Sequence, residues 1–382
     1  MDGNTYSSPT PFTPPTTEED RLAWLRLIRS RRVGPATFLR LMAEYGTAQA
    51  AIEALPAIAR AAGVDDYAPC TTDNAAREID AGRRKSAHLL CLGEPGYPAE
   101  LAALADPPPV LWVKGRGRAL LKQPAIALVG SRNASSLGHR TARHLSEGLG
   151  AQGYVIVSGL ARGIDTTAHQ AALKTGTIAV MAGGIDVLYP PENAPLAAAI
   201  ADQGLWISEQ PVGLQPQARH FPRRNRLIAG LSRAVVVVEA AEGSGSLITA
   251  RDALDQGRDV MAVPGHPLDA RAAGCNLLIR DGARLVRNAC DVIEALQPLV
   301  APPPPARRPA VDAVTPAPVA EARPDTLVLH GAILDRLSQA PLAEDQLIRD
   351  LGYPASVVAP ALLFLELDGR VLRHAGGLLS RA

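Results

Sequence analysis

The 382-residue sequence predicts an α/β protein: a mostly parallel sheet covered by helices on both faces, with a helical module before it and a small winged-helix module after it. Three observations carry that prediction. Short apolar runs alternate with helical segments of about a dozen residues across 108–297, the strand–helix–strand repetition of a parallel sheet. Several of those runs pass straight into Gly or Ser, which places Gly-rich loops at the carboxyl edge of the sheet. Helical periodicity dominates before them, and a proline-rich stretch separates them from the last 57 or so residues.

In chain order, residues 1–17 are rich in Pro, Thr and Ser and nearly free of charge, which predicts a disordered tail. A helical module is expected over 18–100. Its first helix begins in TEEDRLAWLRLIRS, where Thr17 can cap a first turn rich in acids, and Gly34-Pro35 ends one helix and starts the next. PPPVLWVKG, residues 107–115, breaks the helical period. Strands are then expected at 125–131, 154–159, 177–183, 205–209, 234–240 and 259–265, separated by helices such as HRTARHLSEGLGAQ and SLITARDALDQG. Residues 298–325 hold nine prolines in 28 positions and no aromatic residue, the composition of a semi-rigid linker. From 326 to 382, three short helical patterns precede an apolar pair around Gly-Gly, the order of a winged helix.

Composition narrows the function. With a net charge of +1, a polyanion must be met by a local patch. Cys70, Cys91, Cys275 and Cys290 lack C-x-x-C spacing, which speaks against metal and disulfide frameworks. Neither a signal-peptide pattern nor an apolar run of about 18 residues is present, so the expectation is a soluble, cytoplasmic protein without membrane contact.

The loops suggest anion binding. VGSRNASSLG after the first strand reads G-S-R where a dinucleotide fingerprint needs G-x-G, and neither it nor EGSGSLITA contains GK[ST]; no nucleotide cofactor is expected. Ser131 and Arg132, then Ser158-Gly159 with Arg162, then Gly243-Ser244-Gly245-Ser246 at a helix start all offer donors at one sheet edge. HFPRRNRLIAGLSRAVVVVEA adds Arg223, Arg224 and Arg226, with no Asp or Glu between Glu209 and Glu239 to neutralise them. Aromatic residues make up 4% of the chain and only Phe221 sits among those arginines, so contacts should go to phosphates with little base preference. Ser158, Asp165 and His169 could be drawn as a triad, but the segment reads better as a loop and a helix capped by Asp165.

Six segments carry a resemblance: GSR at 130–132, SGLARGIDTTAHQAAL at 158–173, GGIDVLYPPEN at 183–193, FPRRNRLIAGLS at 221–232, EGSGSLITARDALDQGRDVMAVPG at 242–265 and GCNLLIRDGA at 274–283. In this order they resemble the bacterial DNA-processing protein A (Smf) family. The resemblance implies a Rossmann-like domain that binds single-stranded DNA without strong sequence preference, forms a homodimer and helps load the RecA recombinase during natural transformation, with no catalytic turnover. It implies a pocket of Gly130, Ser131 and Arg132; Ser158, Gly159, Arg162 and Gly163; Phe221, Arg223, Arg224, Asn225 and Arg226; and Gly243, Ser244, Gly245 and Ser246. RRVGPATFLRLMAEYGTAQAAIEAL resembles the helix-hairpin-helix or SAM-like module found ahead of this core, though its hairpin loop is short of Lys and Gly. PASVVAPALLFLELDGR, in the recognition-helix position, has no basic residue before Arg370, which predicts a winged helix that contacts protein. The rival reading is a Rossmann-like phosphoribohydrolase acting on nucleoside monophosphates. Against it, GSGSLIT puts Thr249 where that chemistry needs a glutamate.

Overall fold

Among the described residues, nine strands, seven of them in one uninterrupted parallel run, make the sheet on which every candidate loop sits. The computed structural model describes residues 13–296, 326–338, 342–374 and 378–381. The chain divides into two compact units, 1–300 and 301–382. The linker expected at 298–325 and the first twelve residues of the expected tail lie outside the described residues. Of that tail, residues 13–17 are described, with Pro15 buried.

Four helices open the first unit: α1 (Glu18–Arg29), α2 (Pro35–Tyr45), α3 (Ala48–Ala61) and α4 (Thr72–Arg84). Thr17 caps α1 through a reciprocal box, its hydroxyl accepting the Asp20 N–H at 3.1 Å while the Asp20 carboxylate accepts the Thr17 N–H at 3.2 Å. Proline at the first position of α2 loses no hydrogen bond, because that N–H has no helical partner. Apolar residues one turn apart bury Trp24, Leu27, Phe38 and Met42 in a core that continues onto the sheet. Arg29 bonds Glu78 through two nitrogens, each 2.9 Å from a carboxylate oxygen, and Glu78 accepts the Trp112 indole N–H at 2.8 Å, which ties the helices to the sheet.

The remaining elements of this unit are β1 (Ala87–Cys91), α5 (Ala99–Ala102), β2 (Val110–Lys114), β3 (Ala125–Val129), α6 (Ser136–Ala151), β4 (Val155–Ser158), α7 (Ile164–Ala172), β5 (Thr177–Val180), α8 (Ala194–Gln203), β6 (Leu205–Ser208), α9 (His220–Gly230), β7 (Ala234–Val237), α10 (Ser246–Asp255), β8 (Asp259–Ala262), α11 (Ala273–Arg280), β9 (Arg284–Leu285) and α12 (Ala289–Leu296). Strand order is β1-β2-β6-β5-β4-β3-β7-β8-β9, with β2 antiparallel to both neighbours. Alternation assigns each strand residue a face: Ile126 and Leu128 pack with Leu145 and Leu149 of α6, whereas Ala127 and Val129 share a core with Leu227 of α9 and Ala250 of α10. Both faces are covered, which explains why the strands are apolar throughout.

Two features depart from the expectation. β1 and β2 join the sheet within segments read as helical or as a breaker, because each is a five-residue run too short to show a period. The six expected strands each end one to three residues early, and the residues left over belong to the loops at the carboxyl edge.

In the second unit, α13 (Thr326–Arg336), β10 (Leu342–Ala343), α14 (Glu344–Leu351), α15 (Ala355–Leu367), β11 (Val371–His374) and β12 (Leu378–Arg381) follow the winged-helix order, with strands arranged β10-β12-β11. Ile333, Leu347, Val358, Leu362, Leu365 and Leu379 fill its core.

Candidate functional site

The chain leaves β3 for β4 on one side, while β7 pairs with β3 on the other, so the loops after β3 and β7 diverge. Such a switch point opens a crevice in any doubly wound sheet. Here it measures about 510 Å³ and is lined by residues 130–133, Ala161, Asp165, Phe221, Arg224, Asn225, 243–246 and Thr249.

A buried acid holds each of the first two loops, and a serine hydroxyl the third. After β3, the Ser131 N–H donates to the Glu239 carbonyl at 2.7 Å and the Ser135 N–H to the Glu239 carboxylate at 3.0 Å. Ser135 also donates its hydroxyl to that carboxylate and accepts the Gly138 N–H at 3.0 Å, capping α6. After β4, the Asp165 carboxylate accepts the N–H of Gly159 at 3.1 Å and of Ala161 at 3.3 Å. This corrects the expected cap: Gly163, at φ 76°, occupies the N-cap of α7, and Asp165 lies in the first turn reaching back to the loop. A Cβ on Gly163 would stand 2.2 Å from the Ser131 carbonyl, so the first two loops interlock only with glycine there. After β7, the Ser246 N–H bonds the Ser244 hydroxyl at 3.3 Å, and α10 begins. The first turns of α7, α9 and α10 thus line one space, through Asp165, Phe221 and Ser246, where helix dipoles favour an anion.

Arginine supplies the charge, though not in the expected arrangement. Arg224 is 6% exposed and lies against Gly159, where any Cβ would fall 1.2 Å from its Nη1. Its Nη1 donates a long bond of 3.4 Å to the Val180 carbonyl, while its Nε has no partner among the described residues. Burial pulls its pKa down, opposed by the charge of Asp165; burial likewise pushes Asp165 up, opposed by Arg224. Arg132 lies over the Phe221 ring at 5.3 Å. Arg226 instead faces a separate cavity of about 340 Å³, shared with exposed Arg223. It pairs with Glu209 at 2.6 Å and donates to the Asp106 carbonyl at 3.0 Å. The expectation that no acid neutralises these arginines is therefore corrected: none is local, but the end of β6 delivers Glu209.

Of the sixteen expected residues, Gly130, Ser131, Arg132, Phe221, Arg224, Asn225 and Gly243 to Ser246 line the crevice. Gly159 and Arg162 line an adjoining slot. Ser158 is fully buried and donates to the Leu128 carbonyl at 2.7 Å, so it supports the loop from behind. His169 accepts the Leu160 N–H at 3.3 Å and bonds the Thr177 hydroxyl at 2.7 Å; burial lowers its pKa to about 3. With both ring nitrogens engaged and Ser158 turned inward, the drawn triad does not form. Glu239, Asp165 and Tyr189 were not read from the sequence as parts of the site. Tyr189 meets Phe221 edge-on at 5.7 Å.

Among the described residues, no group of three or more His, Cys, Asp or Glu side chains could hold a metal. No single helix among them is long and apolar enough to cross a membrane.

Fold and crevice define a doubly wound α/β protein with an anion-receptive switch point. Residues 88–297 match the family described as DNA recombination-mediator protein A, residues 18–81 a DprA-like N-terminal helix-hairpin-helix domain and residues 315–377 a DprA winged-helix domain. The chain belongs to the DNA recombination-mediator protein A family. It is 44% identical over 222 residues to DNA processing protein DprA of Bacillus subtilis, covering 58% of this chain and 75% of that protein. It is 37% identical over 285 residues to protein Smf of Synechocystis, covering 72% of each. Among solved structures, DNA processing protein A from Streptococcus pneumoniae aligns with a TM-score of 0.59 at 37% identity, over 73% of this chain and 98% of that one. The Helicobacter pylori protein, described for a unique single-stranded DNA binding mode, aligns with a TM-score of 0.51 at 31% identity, over 55% of this chain and 95% of that one.

Proposed function

We propose that this chain binds single-stranded DNA through its backbone in the switch-point crevice, without strong sequence preference, and loads the RecA recombinase onto it during natural transformation. The observation that carries the reading is the convergence of three helix amino ends on a crevice holding Arg132 and the buried, under-bonded Arg224. A phosphate would complete the bonding of Arg224, a role that charge-assisted hydrogen bonds suit well. The single-strand binding described for the Helicobacter pylori relative supports the same reading.

Protein contacts follow from other surfaces. β9 ends the sheet beside Leu285, 44% exposed, and Leu254 of α10 is 60% exposed, which supports a homodimer through this domain or a RecA contact there. In the second unit, α15 exposes Leu363 and Phe364 at 57% and 56% and carries no basic residue, which supports a protein-contacting winged helix. The protein acts in the cytoplasm as a binding protein. Thr249 lies 2% exposed where a phosphoribohydrolase would carry its glutamate, and the carboxylates of Asp165 and Glu239 are bonded to loop N–H groups.

A gel-shift comparison of single and double strands tests the proposal. Preferential retardation of the single strand is expected, with faster RecA filament assembly on the bound strand. Release of ribose 5-phosphate from AMP, or equal affinity for duplex, would contradict it.

A further inference from the structure

Phosphate contacts alone give no reason to prefer a single strand, since duplex DNA offers phosphates too. Beside the crevice stands an aromatic group with little burial of its own. Tyr189, in the loop between β5 and α8, is 47% exposed. Its ring meets that of Phe221 at 5.7 Å and 62°, and Phe221 in turn lies under Arg132 at 5.3 Å and near Arg224 at 6.0 Å. Tyr189 is thereby held in fixed relation to the two crevice guanidinium groups.

The slot behind it, bordered by Met181, Val187 and Pro190, holds about 20 Å³. That is room for about one water and not for a base. A base therefore cannot enter the slot edge-on, and the exposed face of the Tyr189 ring is the surface left for it. Phe221 is less accessible, being half-buried with Arg132 over its ring. Arg162 lines the same slot with its side chain 62% exposed and its nearest acid, Glu192, 3.9 Å away, where it can meet a neighbouring phosphate.

We propose that Tyr189 is a stacking platform for one unpaired base of the bound strand. This rests on the single-strand reading above and adds a source of strand selectivity to it. Every base has a π face, so stacking tolerates any sequence, whereas the bases of a duplex are already stacked and turned inward.

The test uses the full chain, a short oligothymidine and an oligonucleotide of equal length built from abasic tetrahydrofuran units. Wild type should bind the base-bearing strand roughly tenfold more tightly. Tyr189→Ala should lose that factor on the normal strand and nothing further on the abasic one. Tyr189→Trp should keep the affinity and show strand-dependent quenching, readable because Trp24, Trp112 and Trp206 are only 2%, 1% and 6% exposed. Equal affinity of wild type for both strands, or full discrimination retained by Tyr189→Ala, overturns the platform while leaving the single-strand reading intact. Failure of wild type to bind either strand overturns both.

Discussion

The two sides of α9 carry arginines in opposite circumstances. On one side Arg224 is buried with an unpartnered Nε at the floor of the switch-point crevice; on the other Arg226, two residues on, is closed by Glu209 at 2.6 Å. One helix thus supplies both a receptor for an anion and a strut for the fold. What separates them is the acid each meets. Glu209 reaches Arg226 directly, whereas Asp165 beside Arg224 spends an oxygen on the Gly159 and Ala161 N–H groups. Basic residues near a strand end do not by themselves mark a site; their unsatisfied bonding does.

That contrast can be broken most severely at Gly159. A methyl there would stand 1.2 Å from Arg224 Nη1, so Gly159→Ala should expel the guanidinium and weaken single-strand binding by about a hundredfold, the loss of two charged contacts at about 1.4 kcal/mol each. Anisotropy titration would show it, with circular dichroism confirming the fold. Arg132→Ala removes one exposed charge together with its contact on the Phe221 ring. It should weaken binding about tenfold, equally across base sequences, and reduce the magnitude of the salt slope by about 0.7.

Acid should lower stability through His169, which supports the loop after β4. An unfolded chain protonates His169 near its ordinary 6.5, but the folded chain holds it neutral down to about 3. The unfolded state therefore binds the extra proton, and stability present above pH 6.5 is lost as pH falls toward 3. At pH 5 that loss amounts to about 2 kcal/mol from this group. Thermal unfolding of wild type and His169→Gln between pH 7 and 5 should show a shallower decline in the variant.

Binding should respond least on the far side of the helix. Arg226→Ala leaves Glu209 buried without its partner and should cost about 3 kcal/mol of stability, yet change strand affinity less than twofold below the melting transition. A strong loss of binding in a folded Arg226→Ala protein would merge the two sides into one site.

The same contrast shows where sequence reading succeeds and where it stops. Runs such as Ala125–Val129 and Ala234–Val237 were legible because strands buried on both faces are continuously apolar, and the loops after them because Gly and Ser follow directly. Glu239 looked like the first acid after an arginine run, but its carboxylate organises a loop 104 residues earlier. Glu209 closes on Arg226 only once β6 is laid beside β2 and β5. Tyr189 lies 32 positions from Phe221, so an aromatic pair could not be read from either neighbourhood. Local propensity and pattern carried the layers; partner choice across the sheet decided which charged groups remain available.

The central claim is that phosphates of a single strand fill the crevice, and the salt dependence of binding tests it most directly. Four neutralised phosphates predict a slope near −2.8 in log affinity against log salt, roughly a fifty-fold loss between 50 and 200 mM. Anisotropy titration of a short single strand should reproduce that slope for wild type and a smaller one for Arg132→Ala. A flat response, or an unchanged slope in the variant, would contradict the account.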